Sequence, residues 1–264
     1  MEIIHTVSPH IDPERLRVLR DLGIELEILL PHLGNFKVAE SDPNWPEVRA
    51  LIQEWDALDV VDTLFSPAEC LSAAYLQMRP TWHQGYPQPE NDYLELTYEC
   101  VCPGCGIREK QLAPFIMKCE PRWGKKHILQ LNWVFDEYFV IPEVWESVFK
   151  PFGIECMPVL SGRQKTKLAT VVQLVISSTR AAQVQMPGDA RSECCGICNR
   201  IKYCPWVRGP FPMLASRLDA PISMTETYFG SGHSAWNAII INQDLFRQID
   251  QRNLRGVRFT PLLQ

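Results

Sequence analysis

Two cysteine doublets constrain this chain more than any other feature: Cys102-Pro-Gly-Cys105-Gly106 and Cys195-Gly-Ile-Cys198. A Cys-x-x-Cys step lets one tight turn aim two sulfurs at a single point. Two such steps complete the tetrahedral shell that Zn²⁺ takes, with sulfur at about 2.3 Å from the ion. Gly104 and Gly106 suit the turn, because glycine accepts positive φ without steric cost. The doublets therefore predict a structural zinc site made of Cys102, Cys105, Cys195 and Cys198. Small zinc ribbons place about 15–20 residues between doublets, and the stretch from Cys105 to Cys195 is far longer. The expected site ties two distant parts of a larger fold together. The alternative is two unrelated pairs of reduced, buried thiols, since free cysteine is often a core residue. Cys100, Cys194 and Cys204 lie near the doublets and could replace a ligand, although the spacing of Cys204 fits poorly beside Cys198.

The chain has 264 residues, 46% apolar and 22% charged, enough for a sizeable core in one large domain or two small ones. The formal net charge of −5 argues against nucleic acid as a partner, because phosphate binding needs a basic surface. Arg122, Lys125 and Lys126 are the nearest thing to a basic patch. The start, Met1-Glu-Ile-Ile-His5, has no basic segment followed by an apolar core. No run approaches the roughly 18 apolar residues of a membrane span. The expectation is a cytoplasmic protein with no membrane association. Ten cysteines in that compartment point to metal or buried thiols rather than disulfides.

Along the chain, Asp12 reads as an N-cap with Pro13 at the first helical position, and Gly23 ends that helix. Residues Ile24 to Ile28 alternate as a half-buried strand does. After a loop with Pro43, Trp45 and Pro46, residues Glu47 to Leu58 read as a helix. Ser66-Pro-Ala-Glu69 is a capping box whose helix should reach Met78. Residues Arg79 to Asp92 read as a loop in which Trp82, His83 and Tyr86 cover the core, the alternative being that they line a binding surface. Strands are predicted over Leu94–Val101, Phe115–Cys119, His127–Phe135 and Leu168–Ile176. The last carries a near-continuous apolar run, which suits a central strand buried on both faces.

Two stretches share a cadence. Tyr138-Phe139 leads through a helix to Gly153 and on to Pro158-Val-Leu160. Tyr228-Phe229 leads through a helix to Gly256 and on to Pro261-Leu-Leu263. Each follows one doublet. The resulting fold expectation is α+β: pseudo-duplicated, mixed or antiparallel sheets with flanking helices, the halves tied by the four-cysteine zinc knuckle pair. A chance likeness of two ordinary helix–strand junctions is the alternative. The division expected is an N-terminal helical and strand extension over 1–92 and a zinc-binding domain over 93–264.

The ordered series of doublet, Tyr-Phe, helix and glycine, Leu-rich strand, second doublet, proline-rich step and Phe-x-helix-Gly-Val-x-Phe resembles the double-CxxCG motif family. The resemblance covers Leu94 to Gln264. Asn199 stands where the family pattern has glycine, and Arg200 fits what often follows. Some members are described as immunity proteins paired with a secreted toxin of the swarming-inhibition type. The resemblance implies a cognate protein toxin as partner, bound stoichiometrically.

Catalysis has little support in the residues. Four thiolates leave no open position for water on a zinc ion. Neither a G-x-S-x-G elbow, an H-E-x-x-H pair nor a P-loop occurs. Asp136-Glu137 is a paired carboxylate, but neighbours on a strand point to opposite faces, and a solvated or capping role is expected. His233, in Gly230-Ser-Gly232-His-Ser234, reads as a turn residue. The leading expectation is a non-enzymatic, zinc-stabilised immunity protein. The alternative is a zinc-ribbon regulator contacting nucleic acid or transcription machinery. A hydrolase or redox enzyme would call for a pocket near His83 or His233.

Overall fold

The computed structural model describes residues 1–162, 164–179 and 182–263. Its chain divides into two units, Met1–Glu69 with Val207–Pro210, and Cys70–Trp206 with Phe211–Gln264. In the first, Asp12 caps helix α1 (Pro13–Asp21) by accepting the Arg15 backbone N–H at 2.8 Å, and Gly23 follows the helix at φ 70°. Strands β1 (Glu2–Ser8), β2 (Glu27–Leu30), β3 (Leu33–Ala39) and β4 (Leu58–Leu64) form an antiparallel sheet in the order β2-β3-β1-β4. Helix α1 lays Leu19, and helix α2 (Trp45–Glu54) lays Val48 and Ile52, against Val7, Phe36 and Val38 of the sheet. Residues 207–210 return to this unit, where the Thr63 hydroxyl donates to the Val207 carbonyl and accepts the Gly209 N–H, both at 2.9 Å.

Several boundaries differ from the sequence expectation. The strand expected over 24–28 lies at Glu27–Leu30 and is exposed along its length, because Ile24 and Leu26 pack instead toward the core. Helix α2 starts at Trp45, with Pro46 in its first turn, and ends early enough for Leu58 to open β4. The Ser66 capping box forms: the Ser66 N–H donates to Glu69 Oε2 at 2.8 Å and the Glu69 N–H to Ser66 Oγ at 3.3 Å. Its helix α3 (Pro67–Ser72) stops well short of Met78. Residues Tyr75–Pro80 are strand β5, with Leu76 and Met78 buried on alternate positions.

The second unit carries two sheets. Helix α4 (Tyr93–Thr97) occupies the start of the strand expected over 94–101; Tyr93 and Thr97 are buried one helical turn apart. Strands β6 (Ile116–Met117), β7 (Ile128–Leu129), β8 (Phe139–Val140), β9 (Cys156–Ser161) and β10 (Lys167–Leu174) form a five-stranded sheet in the order β6-β9-β10-β8-β7. β10 is central, as its apolar run predicts, whereas the strands expected over 115–119 and 127–135 shrink to two residues each. Between β8 and β9, α5 (Pro142–Val144) continues through a π-turn and a 3₁₀ turn to Phe152. Strands β11 (Ser192–Cys194), β12 (Ile201–Tyr203), β13 (Ile222–Phe229), β14 (Trp236–Asn242) and β15 (Val257–Pro261) join β5 in a six-stranded sheet, β11-β12-β13-β14-β5-β15. Helix α6 (Gln243–Gln251), capped by the Asn242 side chain, buries Leu245, Phe246 and Ile249.

The architecture is thus α+β with mixed sheets. β6 on β9 and β12 on β13 are parallel pairs, and the other strand pairs are antiparallel. The segment Cys70–Asp92 packs in the second unit, where β5 is an interior strand, rather than with an extension ending at residue 92. The two stretches of similar cadence lie in different sheets, and a whole strand, β14, intervenes between Phe229 and α6. The pairing therefore shows no duplication. Among the described residues no helix is long and apolar enough to cross a membrane.

The two glycines that end these stretches predict different costs. Both have positive φ, 75° at Gly153 and 117° at Gly256. A β-carbon at Gly153 meets open space, so Gly153→Ala should cost about 1–2 kcal/mol of left-handed strain. At Gly256 it would overlap the Ile128 carbonyl, so Gly256→Ala should cost clearly more. Urea unfolding midpoints of the two variants compare them directly; equal losses would contradict the packing described.

Candidate metal centre

Each doublet sits at the tip of an antiparallel ladder. Around the first, the Glu99 N–H donates to Lys110 O at 2.9 Å and the Glu109 N–H to Glu99 O at 3.0 Å. Around the second, β11 and β12 pair with Cys194 opposite Ile201. The same turn is then built twice. The Cys102 N–H donates to Ile107 O at 2.8 Å, and the Gly106 N–H donates to Cys102 O at 2.9 Å. The Cys195 N–H donates to Arg200 O at 3.0 Å, and the Asn199 N–H donates to Cys195 O at 2.9 Å. The residue four places after each leading cysteine is left-handed, Gly106 at φ 72° and Asn199 at φ 57°. Asparagine tolerates that conformation, which is why it can stand in the second turn. Gly106 has a further constraint: a β-carbon there would overlap the His233 carbonyl oxygen.

These turns bring the four sulfurs together. Cys102 Sγ lies 3.8 Å from Cys195 Sγ, Cys105 Sγ lies 3.6 Å from Cys198 Sγ, and all four lie within 4.8 Å of one another. A regular tetrahedron with arms of about 2.3 Å has edges of about 3.8 Å. The cluster is therefore sized for one four-coordinate ion. Backbone donors favour thiolate at two positions. The Gly104 N–H draws the Cys102 thiol below its ordinary value. The N–H groups of Cys198 and Ile197 bring Cys195 down to about 6. Burial pushes Cys105 up to about 12. Ile107 and Ala235 pack against the sulfurs. Across the rim, Arg200 Nη2 meets Glu109 Oε1 at 2.8 Å, joining the two turns by an ion pair. Cys100 and Cys194 are exposed, Cys204 is half-buried, and none of the three belongs to the cluster.

A buried polar network begins where the first turn ends. Arg108 donates to the Ala235 carbonyl at 2.8 Å, pairs with Asp136 and lies 4.6 Å over the Tyr98 ring. Asp136 also accepts the Asn237 N–H at 3.2 Å. Glu137 accepts from Tyr98 Oη at 3.1 Å and from Gln173 Nε2 at 2.8 Å; Gln173 in turn exchanges bonds with Gln111. The expectation of a solvated or capping carboxylate pair is corrected here: Asp136 is 3% exposed and Glu137 5%. Arg108, Gln111 and Gln173 escaped sequence reasoning, because nothing local marks a residue as the partner of a distant buried acid. Neither His83 nor His233 belongs to the sulfur cluster, although the His233 backbone packs against Gly106 of the first turn. His83 bridges Gln130 in a short ladder, and Trp82 packs on the core, as expected of that loop.

Cys195→Ser should lose bound metal and soluble, folded protein together, since structural zinc sites contribute on the order of 10–16 kcal/mol of apparent binding free energy. Asn199→Gly should leave metal content and melting temperature close to wild type, whereas Gly106→Ala should lower both; elemental analysis and thermal unfolding read the difference. Burial first, and the Asp136 charge second, push Glu137 up to about 8 from an ordinary 4.5. The native state then keeps a proton that the unfolded chain has lost. This contribution is fully present below pH 4.5 and declines as pH rises to about 8, by at most about 1.4 kcal/mol per pH unit. Glu137→Gln, which mimics the neutral acid, should flatten that decline, matching wild type near pH 5 and exceeding it at pH 8 in denaturant titrations. Comparison with protein-family models, curated proteins and solved structures finds no match to this chain, so the metal centre rests on its own geometry.

Proposed function

We propose that this chain is a zinc-stabilised binding protein that acts by occupying a partner rather than by catalysis. The observation that carries the reading is the four-sulfur cluster built from two like turns. Thiolates are soft ligands that suit Zn²⁺. Cys102, Cys105, Cys195 and Cys198 would hold it, and four protein ligands make a closed, structural shell. Bound there, zinc supplies cross-linking of two loops far apart in sequence. The partner is inferred from the resemblance of the ordered motifs over Leu94–Gln264: a cognate bacterial toxin, neutralised by stoichiometric binding in the cytoplasm. The net charge of −5 supports it, since an acidic surface suits a basic toxin and speeds encounter.

Co-expression tests the proposal. The toxin encoded beside this chain's gene should arrest growth alone, and growth should return when the two are expressed together. The pair should elute as a one-to-one complex on a sizing column. Continued arrest with no complex, while this chain is soluble and metal-loaded, would reject the immunity role and leave the metal centre standing.

A further inference from the structure

In the second unit two segments run side by side and hold a pair of rings at the surface. The Gln130 N–H donates to Trp82 O at 3.2 Å and the Gln84 N–H to Gln130 O at 3.0 Å. Asn132 gives both its backbone N–H and its Nδ2 to the Gly85 carbonyl, each at 2.9 Å. This ladder sets Tyr86 against Trp133, with ring centroids 4.5 Å apart and planes at 59°. Trp82 and Trp123 pack on the core, but Tyr86 stays 40% exposed and Trp133 48%. Trp133 stands third in a turn closed by the Val134 N–H on Leu131 O at 3.2 Å, and its φ is 68°. That place ordinarily takes glycine or asparagine. A bulky residue at positive φ is a genuine outlier. The Tyr93 hydroxyl holds the Trp133 carbonyl at 2.9 Å and so fixes the strained turn. The turn does not need an indole, since glycine would close it more easily, and nearly half of the ring meets solvent. An outlier that folding does not require points to use.

Trp133 also lines a groove of about 390 Å³ with Tyr93, Leu94, Phe135 and His233. Phe135 is shared with an inner aromatic cavity of about 270 Å³ walled by Tyr138, Phe229 and Trp236. The charges beside the rings narrow what fits. Between Thr81 and Ile107 every Asp, Glu, Lys or Arg is an acid: Glu90, Asp92, Glu95 and Glu99, all exposed. Glu90 is tied to Tyr86, since Gln88 Nε2 donates to Glu90 Oε1 at 3.2 Å and to the Tyr86 carbonyl at 3.4 Å. Glu95 bears on the groove: burial first raises the Tyr93 phenol above its ordinary value, and the Glu95 charge adds to it. Arg108, the cation lining the groove, is already paired with Asp136 and lies over the Tyr98 ring. Arg122 meets the ladder through its backbone N–H, on Gln84 Oε1 at 3.0 Å. Aromatic faces attract cations, and a planar guanidinium stacks on them best. We propose that the Tyr86–Trp133 pair is the docking point for an arginine side chain of a protein partner, its guanidinium stacked on the rings and facing the acidic segment 90–95. The inference rests on the binding-protein reading above and not on the identity of the partner.

Arginine and citrulline share a shape and differ in charge. Two tripeptides with blocked ends, glycyl-arginyl-glycine and glycyl-citrullyl-glycine, therefore test the point on the full-length, metal-loaded protein by ligand-observed NMR titration. The arginine peptide should bind about threefold to fivefold more tightly at low salt, and the difference should shrink as salt is raised. A norleucine peptide of the same length reads the apolar contribution and should bind more weakly than the arginine peptide. Trp133→Gly should lose the preference for arginine while melting at or above the wild-type temperature, since glycine suits the turn. Glu90→Gln combined with Glu95→Gln should reduce the preference with the rings intact. Equal binding of the arginine and citrulline peptides would overturn the proposal, as would binding of neither or a preference for norleucine. So would a preference that survives in Trp133→Gly or is unchanged in the double glutamine variant. A marked loss of stability in Trp133→Gly would make the ring a packing residue and also overturn it. The co-expression test above can fail while every one of these results stands, because it reads which protein docks and these read what chemistry docks.

Discussion

Four sulfurs within 4.8 Å of one another form an arrangement that chain folding alone does not favour. If all ionise, they repel; if all keep protons, polar thiols crowd a buried space. The electrostatics show the tension within one cluster: backbone donors bring Cys195 down to about 6, while burial holds Cys105 near 12. A divalent cation held there would resolve it by replacing protons with one charge shared among four ligands. The stretch from Cys105 to Cys195, with the five-stranded sheet inside it, is closed at its two ends by the sulfur cluster and by the Arg200–Glu109 ion pair beside it.

The constraint spreads through the residues that follow the first turn. Gly106 lies against the His233 carbonyl, and Arg108, two places on, binds the Ala235 carbonyl and Asp136. The loop leading into β14 is thus gripped at two points from the doublet. Asp136 returns the link by accepting the Asn237 N–H from β14 itself. A buried arginine and acid of this kind are worth keeping only if both are satisfied, since either alone would leave an uncompensated charge. The cation over the Tyr98 ring and the amide relay through Gln173 to Gln111 complete that satisfaction.

What the sequence disclosed follows from the range of each signal. Asp12 with Pro13, Ser66 with Glu69, and the two doublets are local patterns, and each appears in the structure as its residues predict. The apolar run of β10 is also local, and it marks a central strand. Misreadings gather where long-range pairing decides. Tyr75–Met78 continues a helical pattern from α3, yet lies between β14 and β15 and becomes a strand. Leu94–Thr97 looks extended, yet helix α4 places Tyr93 and Thr97 on one buried face. Asp136 and Glu137 read as surface residues because their neutralising partners, Arg108, Tyr98 and Gln173, are remote along the chain.

Phe135 connects the cysteine turns to the aromatic cavity. Its carbonyl takes the Gln130 amide, fixing which way Oε1 faces, and its ring packs 4.8 Å from the Trp236 ring at the cavity wall. The same residue lines a groove formed by Gly106, Arg108 and His233 beside the first cysteine turn. Its next neighbour along the chain is Asp136, held by Arg108. The orientation of the Gln130 amide is therefore set by a segment that the cysteine turn grips.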